Sequence, residues 1–319
     1  MSEESPREGA SESLVTVVVA LLANALIAVA KSVAAVLTGS ASMVAEAAHS
    51  WADAGNEIFL LIAERQGRRP RDESHPRGYG RDTYIWSLFA AVGLFTAGSV
   101  VSLWHGASQL TSEEGPENYL VNYVVLAIAF VLEGISFRQA VGQTRGEAAS
   151  FGLRPLSFIN RTSNPTLRAV FLEDFVALVG ILLAAAGIGL HQLTGNPVWD
   201  ALGSMAVGLL LGAAAVFLIN RNRQFLVGQT VSPELWDRAL QALLDRPDVD
   251  RVTYLHLEYV GASRCFLVAA VDLTGDDAEP LLAVRLRRLE AQIETREFVE
   301  DAVLTLSTPD EVALTPQRL

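Results

Sequence analysis

The chain has 319 residues, half of them hydrophobic, and a formal net charge of −12. That apolar share exceeds what one soluble core requires, and the acidic balance disfavours nucleic acid as a partner. A single cysteine, Cys265, excludes an intramolecular disulfide and a cysteine-rich zinc site.

The opening MSEESPREGASES, residues 1–13, is acidic and rich in small residues. It lacks the basic start of a signal peptide and is expected to be a disordered tail. Six apolar runs follow, at roughly 14–37, 42–63, 84–104, 119–137, 170–190 and 199–219. Each is about the length at which a helix crosses the hydrocarbon of a bilayer, near 20 residues. Residues 14–221 are therefore expected to form a six-helix transmembrane domain embedded in lipid.

Arginine alternates between the connections. Arg65, Arg68, Arg69, Arg71, Arg77 and Arg81 follow the second run, and Arg138, Arg145, Arg154, Arg161 and Arg168 fall between the fourth and fifth. Arg221 and Arg223 follow the sixth, while TGSAS, HGASQLTSEEGPENYLVN and LHQLTGNPVWDA hold neither lysine nor arginine. By the positive-inside rule both termini are expected to be cytoplasmic, in a cell (inner or plasma) membrane. From residue 222 the pattern becomes that of a soluble domain. Ser232 is the expected N-cap and Pro233 the first residue of a helix. Two β-rich stretches joined by GAS, an amphipathic helix and a last strand complete an α-β-β-α-β order over 222–319. No phosphate-cradling glycine loop or Walker lysine is present, which argues against an ATP-driven pump.

The second run, GSASMVAEAAHSWADAGNEIFLLIAE, carries Glu46, His49, Asp53 and Glu57. Their spacings of three, four and four put all of them on one helix face. Ionisable groups in hydrocarbon persist where they face a cavity, a partner or an ion path. Glu46 and Glu57 have a bland alternative, solvation near the two interfaces. His49 and Asp53, deeper and one turn apart, form half of a four-ligand site for a divalent transition metal. The fifth run supplies a second acidic pair, Glu173 and Asp174. Lys31 in the first run is placed to pair with an intramembrane acid.

The stretches LTGSASMVAEAAHSWADAGNE, HPRGYGRDTYIWS, RAVFLEDFVALVG and YVGASRCFLVAAVDL resemble the cation diffusion facilitator (cation efflux) family, its zinc transporter 9-like subgroup in particular. The resemblance runs from about residue 14 into the C-terminal domain. It implies a six-helix, usually homodimeric exporter of zinc or a related divalent cation in exchange for protons, with a cytoplasmic ferredoxin-like domain. Carried over residue by residue, it implies metal ligands at His49 and Asp53. The fifth-helix pattern of two ligands four apart fits incompletely, because Asp174 is preceded by Val170 and Glu173 is followed by Ala177. Asp174 is preferred to Glu173, with Glu173, a water or Asn24 as the fourth ligand. His75, beside Asp72 and Glu73, is a weak candidate for a secondary site. His105 and His191 read as interfacial and His256 as an ordinary strand residue.

Metal and protons compete for the same ligand atoms, and an ordinary imidazole titrates near pH 6.5, so such a site can exchange one for the other. Imidazole among carboxylates suits zinc first, then iron, manganese or cobalt, as transported ion and with no other cofactor. Two rival readings stand beside the exporter: a transport-inactive regulatory or scaffold relative, suggested by the fifth-helix gap, and a membrane metalloenzyme. The metalloenzyme lacks an HExxH motif, and the expectation is that the chain is not an enzyme.

Overall fold

The structure, a computed structural model, describes residues 6–111, 118–150, 152–275 and 277–316. Its elements in chain order are α1 (Pro6–Thr38), α2 (Ala41–Gly67), α3 (Asp82–Ala90), a π-helical turn (Ala91–Phe95), α4 (Thr96–Gln109), α5 (Tyr119–Ser150), α6 (Pro155–Arg161), α7 (Pro165–Thr194) and α8 (Val198–Val227). Then follow α9 (Pro233–Leu244), β1 (Val249–Gly261), β2 (Arg264–Leu273), α10 (Glu279–Glu294) and β3 (Val299–Leu306).

Among the described residues, four helical stretches are long and apolar enough to cross a membrane: Asp82–Gln109, Tyr119–Ala149, Pro165–Thr194 and Val198–Val227. α1 contributes a shorter apolar stretch, Asn24–Thr38, and α2 is diluted by its ionisable stripe. The chain is thus a helical, membrane-type protein with a small sheet at its C-terminal end. Of the disordered tail expected over 1–13, residues 1–5 lie outside the described residues, and from Pro6 the chain is already helical. Proline suits a first helical turn, where its missing N–H has no acceptor to lose, and Arg7 to Ser13 contain only one further helix-weakening glycine. α5 also runs thirteen residues beyond the expected end of its span, through polar Gln139, Gln143 and Glu147.

Local chemistry fixes where α1 stops and α2 starts. Gly39 takes the left-handed conformation (φ 72°) that ends a helix without a side-chain penalty, and the Ser40 hydroxyl accepts from the Met43 amide. Asp200, fully buried in the first turn of α8, accepts from the Ala41 amide at 2.5 Å and the Ser42 amide at 3.2 Å. A carboxylate there satisfies orphan N–H donors and meets the positive end of the α2 dipole.

Small residues let the long helices approach closely, the usual packing device in lipid. A methyl added at Gly187 of α7 would meet Trp199 O at 3.0 Å and Gly203 Cα at 3.1 Å, and one at Gly203 would meet Ser42 Oγ at 2.5 Å. α4 meets α8 likewise: Gly106 lies against Ala201 and Met205, and Gly208 against Ser102 and Leu103. Two hydroxyls reinforce this contact, Ser99 donating to Gly208 O at 2.7 Å and Ser204 to Ser102 O at 2.9 Å.

The described chain divides into two compact units. One comprises residues up to Glu64, Trp86–Asn160 and Thr166–Asn222; the other comprises Arg65–Ile85, Arg161–Pro165 and Arg223–Leu319. In the second unit the strands lie in the order β1-β2-β3, β1 antiparallel to β2 and β2 parallel to β3. Ser232 caps α9 by accepting from the Leu235 amide, with Pro233 following, as its sequence predicts. Ser263, at φ 57°, turns the tight β1–β2 connection. Leu240, Val252, Leu257, Cys265, Ala269, Val271 and Leu289 fill the core between helices and sheet. Burial there pushes the Cys265 thiol well above its ordinary pKa, which leaves it a small apolar core residue.

Candidate metal centre

The polar stripe of α2 lies inside the helical unit. Glu46 and His49 are fully buried, and Asp53 is 8% exposed. α1 runs antiparallel beside α2 and answers three of its side chains. Lys31 Nζ lies 2.8 Å from Glu46 Oε2, Asn24 Nδ2 donates to Glu57 Oε1 at 3.1 Å, and Trp51 Nε1 donates to Ser32 Oγ at 3.0 Å. Lys31, the one lysine in the chain, is itself fully buried. The acid pairing expected of it is realised, and Glu46 is a buried ion-pair partner rather than a solvated interfacial group.

His49 Nδ1 lies 3.4 Å from Asp53 Oδ1, within electrostatic reach but misaligned for a hydrogen bond. Both imidazole nitrogens and that carboxylate oxygen are buried without a hydrogen-bond partner. Buried polar atoms are ordinarily satisfied, and here three unpartnered ones fall within one turn.

α7 faces this stripe. An added Cβ at Gly180 would come within 2.7 Å of Glu46 Oε1, and Ser42 packs against Gly187. These contacts show α2 and α7 running antiparallel, and Asp53 lies within electrostatic reach of Glu173. Glu173 is 7% exposed, and its buried Oε1 has no hydrogen-bond partner. Asp174 turns toward α5, where it accepts from the Ser136 hydroxyl at 2.9 Å. Among the described residues, no three His, Cys, Asp or Glu side chains are gathered tightly enough to hold an ion. The α2 and α7 halves face each other with their carboxylates apart.

Glu133 on α5 belongs to the same group and is missing from the sequence-based set. Its charge acts on Asp53, Glu173 and Asp174, and Glu173 also feels Glu57. A lone acid five residues from Arg138 reads in sequence as the edge of a span; its signal was the interruption of an otherwise apolar run. The group thus sets Glu46, Asp53, Glu57, Glu133, Glu173 and Asp174 against Lys31.

His75 lies in the second unit and is exposed. Its ring stacks on Tyr79 at 4.0 Å, and Nδ1 lies 2.8 Å from Ser74 Oγ and 3.6 Å from Asp72 Oδ1. Asp72 is occupied by the turn itself, accepting from the Ser74 hydroxyl, the His75 amide and the Tyr79 hydroxyl. These bonds hold its carboxyl well below the usual range. His256 Nε2 lies 3.9 Å from Glu258 Oε2 on the same strand.

The multi-pass helical unit thus buries an imidazole, several acids and a lysine among apolar helices, where ionisable groups are costly and mark ion paths or partners. The sequence profile of the cation efflux transmembrane domain matches residues 17–227, and the chain belongs to that family. It is 36% identical over 259 residues to the proton-coupled zinc antiporter SLC30A9, mitochondrial, of Xenopus laevis, and 35% identical to the human protein of that name. Each alignment covers 81% of this chain and 46% of the relative. Metal tolerance protein C4 of Arabidopsis thaliana is 35% identical over 73% of this chain and 51% of its own. The chain therefore spans about half the length of these relatives, and its likeness to the antiporters places it in the zinc transporter 9-like subgroup. Their names also correct the expected cell (inner or plasma) membrane location: both antiporters are designated mitochondrial, which points away from the plasma membrane. Arginine asymmetry distinguishes the two sides of a membrane but carries no information about which membrane it is.

Proposed function

We propose that the chain exports a divalent transition-metal cation in exchange for protons. Zinc is the first choice, with iron, manganese and cobalt behind it. The observation that carries this reading is the set of unpartnered buried atoms on His49, Asp53 and Glu173, on facing helices of a cation efflux protein. Metal requires these groups deprotonated, so the same atoms hold either the cation or protons. In this reading His49, Asp53 and Glu173 bind the ion, and Asp174 completes the set when it leaves Ser136. Ala177, four residues after Glu173, supplies no donor, so Asp174 or a water replaces the ligand that a two-by-two arrangement would place there. Six spans, alternating access, a homodimer and a ferredoxin-like C-terminal domain complete the proposal, following the family. Multi-spanning helices packed through glycine are compatible with rocking of one helix group against another.

Zinc binding to the purified full chain, followed by calorimetry, tests the ligand set. His49→Ala and Asp53→Ala are expected to weaken binding by more than about tenfold, and Glu173→Gln more than Asp174→Asn. Unchanged affinity in His49→Ala would remove the site. The Ala177 gap also suits a transport-inactive relative, which predicts binding without uptake.

A further inference from the structure

In the second unit, the segment after α2 folds over the sheet and encloses a cavity of about 280 Å³. Arg68, Arg69, Arg71 and Arg77 line it from that segment and Arg264 from β2, with Glu300 as the one lining carboxylate. Two of these guanidinium groups are held by aromatic rings rather than by acids. Arg69 lies 4.2 Å from the Tyr79 ring centroid and Arg77 lies 4.3 Å from that of Phe266. Arg69 also donates to Gln66 Oε1 at 3.3 Å; stacking fixes the plane of each guanidinium, and its remaining N–H groups can meet an oxyanion. Arg71 contacts Glu294 at 3.3 Å and Asp301 at 3.7 Å, and Arg264 pairs with Glu300. The backbone makes room: Gly78 has φ +69°, and a methyl at Gly80 would strike Val260 O at 2.6 Å. Five guanidinium groups around a recess suit a planar or tetrahedral anion with several acceptor oxygens.

We propose that this cavity binds a phosphate-bearing anion of at least two negative charges, either an anionic phospholipid headgroup or a free diphosphate. The segment continues directly from α2, which ends at Gly67, and basic side chains next to a span end are placed to meet anionic headgroups. A bound anion would tie this segment to β2 through Arg264.

The test uses the full chain in neutral detergent titrated with inorganic pyrophosphate, and the chain in phosphatidylcholine nanodiscs with and without cardiolipin, whose headgroup carries two phosphates, followed by thermal shift. Saturable binding that weakens with added salt is expected. Binding in the detergent arm alone identifies a soluble ligand; a shift in the nanodisc arm alone identifies a headgroup; both support the shared phosphate chemistry. R69Q/R77Q is expected to weaken binding about tenfold, with R251Q, outside the cavity, as the unchanged control. E300Q removes the opposing carboxylate and is expected to tighten binding, a gain that misfolding cannot imitate. No saturable response in either arm, or R69Q/R77Q and E300Q both matching the wild type, overturns the proposal. Because the readout is anion binding, its failure leaves the metal site untouched, and the reverse holds.

Discussion

At the scale of single residues, the buried ion pair between Lys31 and Glu46 is a contact whose members cannot be removed one at a time without cost. Two fully buried charges at 2.8 Å compensate each other; one alone does not. Removing one member of such a pair typically costs about 3–5 kcal/mol, whereas replacing both by apolar groups is often near neutral. Lys31→Met is expected to lower the thermal unfolding midpoint in detergent markedly, and Lys31→Met/Glu46→Met to recover most of the loss. A single variant as stable as the wild type would mean that the charges are not both buried. The α2 stripe was legible in the sequence because spacings of three and four name a helix face without further information. Choosing between Glu173 and Asp174 was not possible that way. Neighbours on a helix diverge by about 100°; in the structure Asp174 accepts from Ser136, while Gly180 and Gly187 of α7 meet α2.

At the scale of elements, Asp200 shows how a helix can be capped from a distant part of the chain. Its carboxylate serves the Ala41 and Ser42 amides across 158–159 residues of sequence. Asp200→Ala strands those buried donors and is expected to cost about 1–2 kcal/mol; Asp200→Asn keeps an acceptor and should cost less. Thermal unfolding of the two variants checks the ranking, and equal loss in both would assign the effect to charge rather than to the hydrogen bonds. Helix cores were readable from apolar runs, and the α9 start from Ser232–Pro233. The C-terminal extension of α5 was not, because hydropathy ends at the lipid boundary while helical hydrogen bonding continues beyond it.

At the scale of the whole molecule, the two units are assembled from discontinuous segments. Residues 65–85 and 161–165, mostly connections in a linear reading, pack with the C-terminal sheet: Arg81 pairs with Glu258 of β1, and the Ser163 hydroxyl accepts from the Ser263 amide at 3.0 Å. A boundary drawn at residue 222 follows the change in composition and cannot register such returns. Arg68, Arg69, Arg71 and Arg77, whose sequence pattern raises the expectation of sidedness, line a cavity in the structure.

In the proposed exchange, His49, Asp53 and Glu173 alternate between a divalent cation and protons. Zinc and proton fluxes recorded together in proteoliposomes of the full chain, under an imposed pH gradient, are the decisive measurement. Zinc movement is expected to be coupled to opposite proton movement, with both lost in His49→Ala and Glu173→Gln. Zinc flux indifferent to the gradient, or undiminished in those variants, would contradict it.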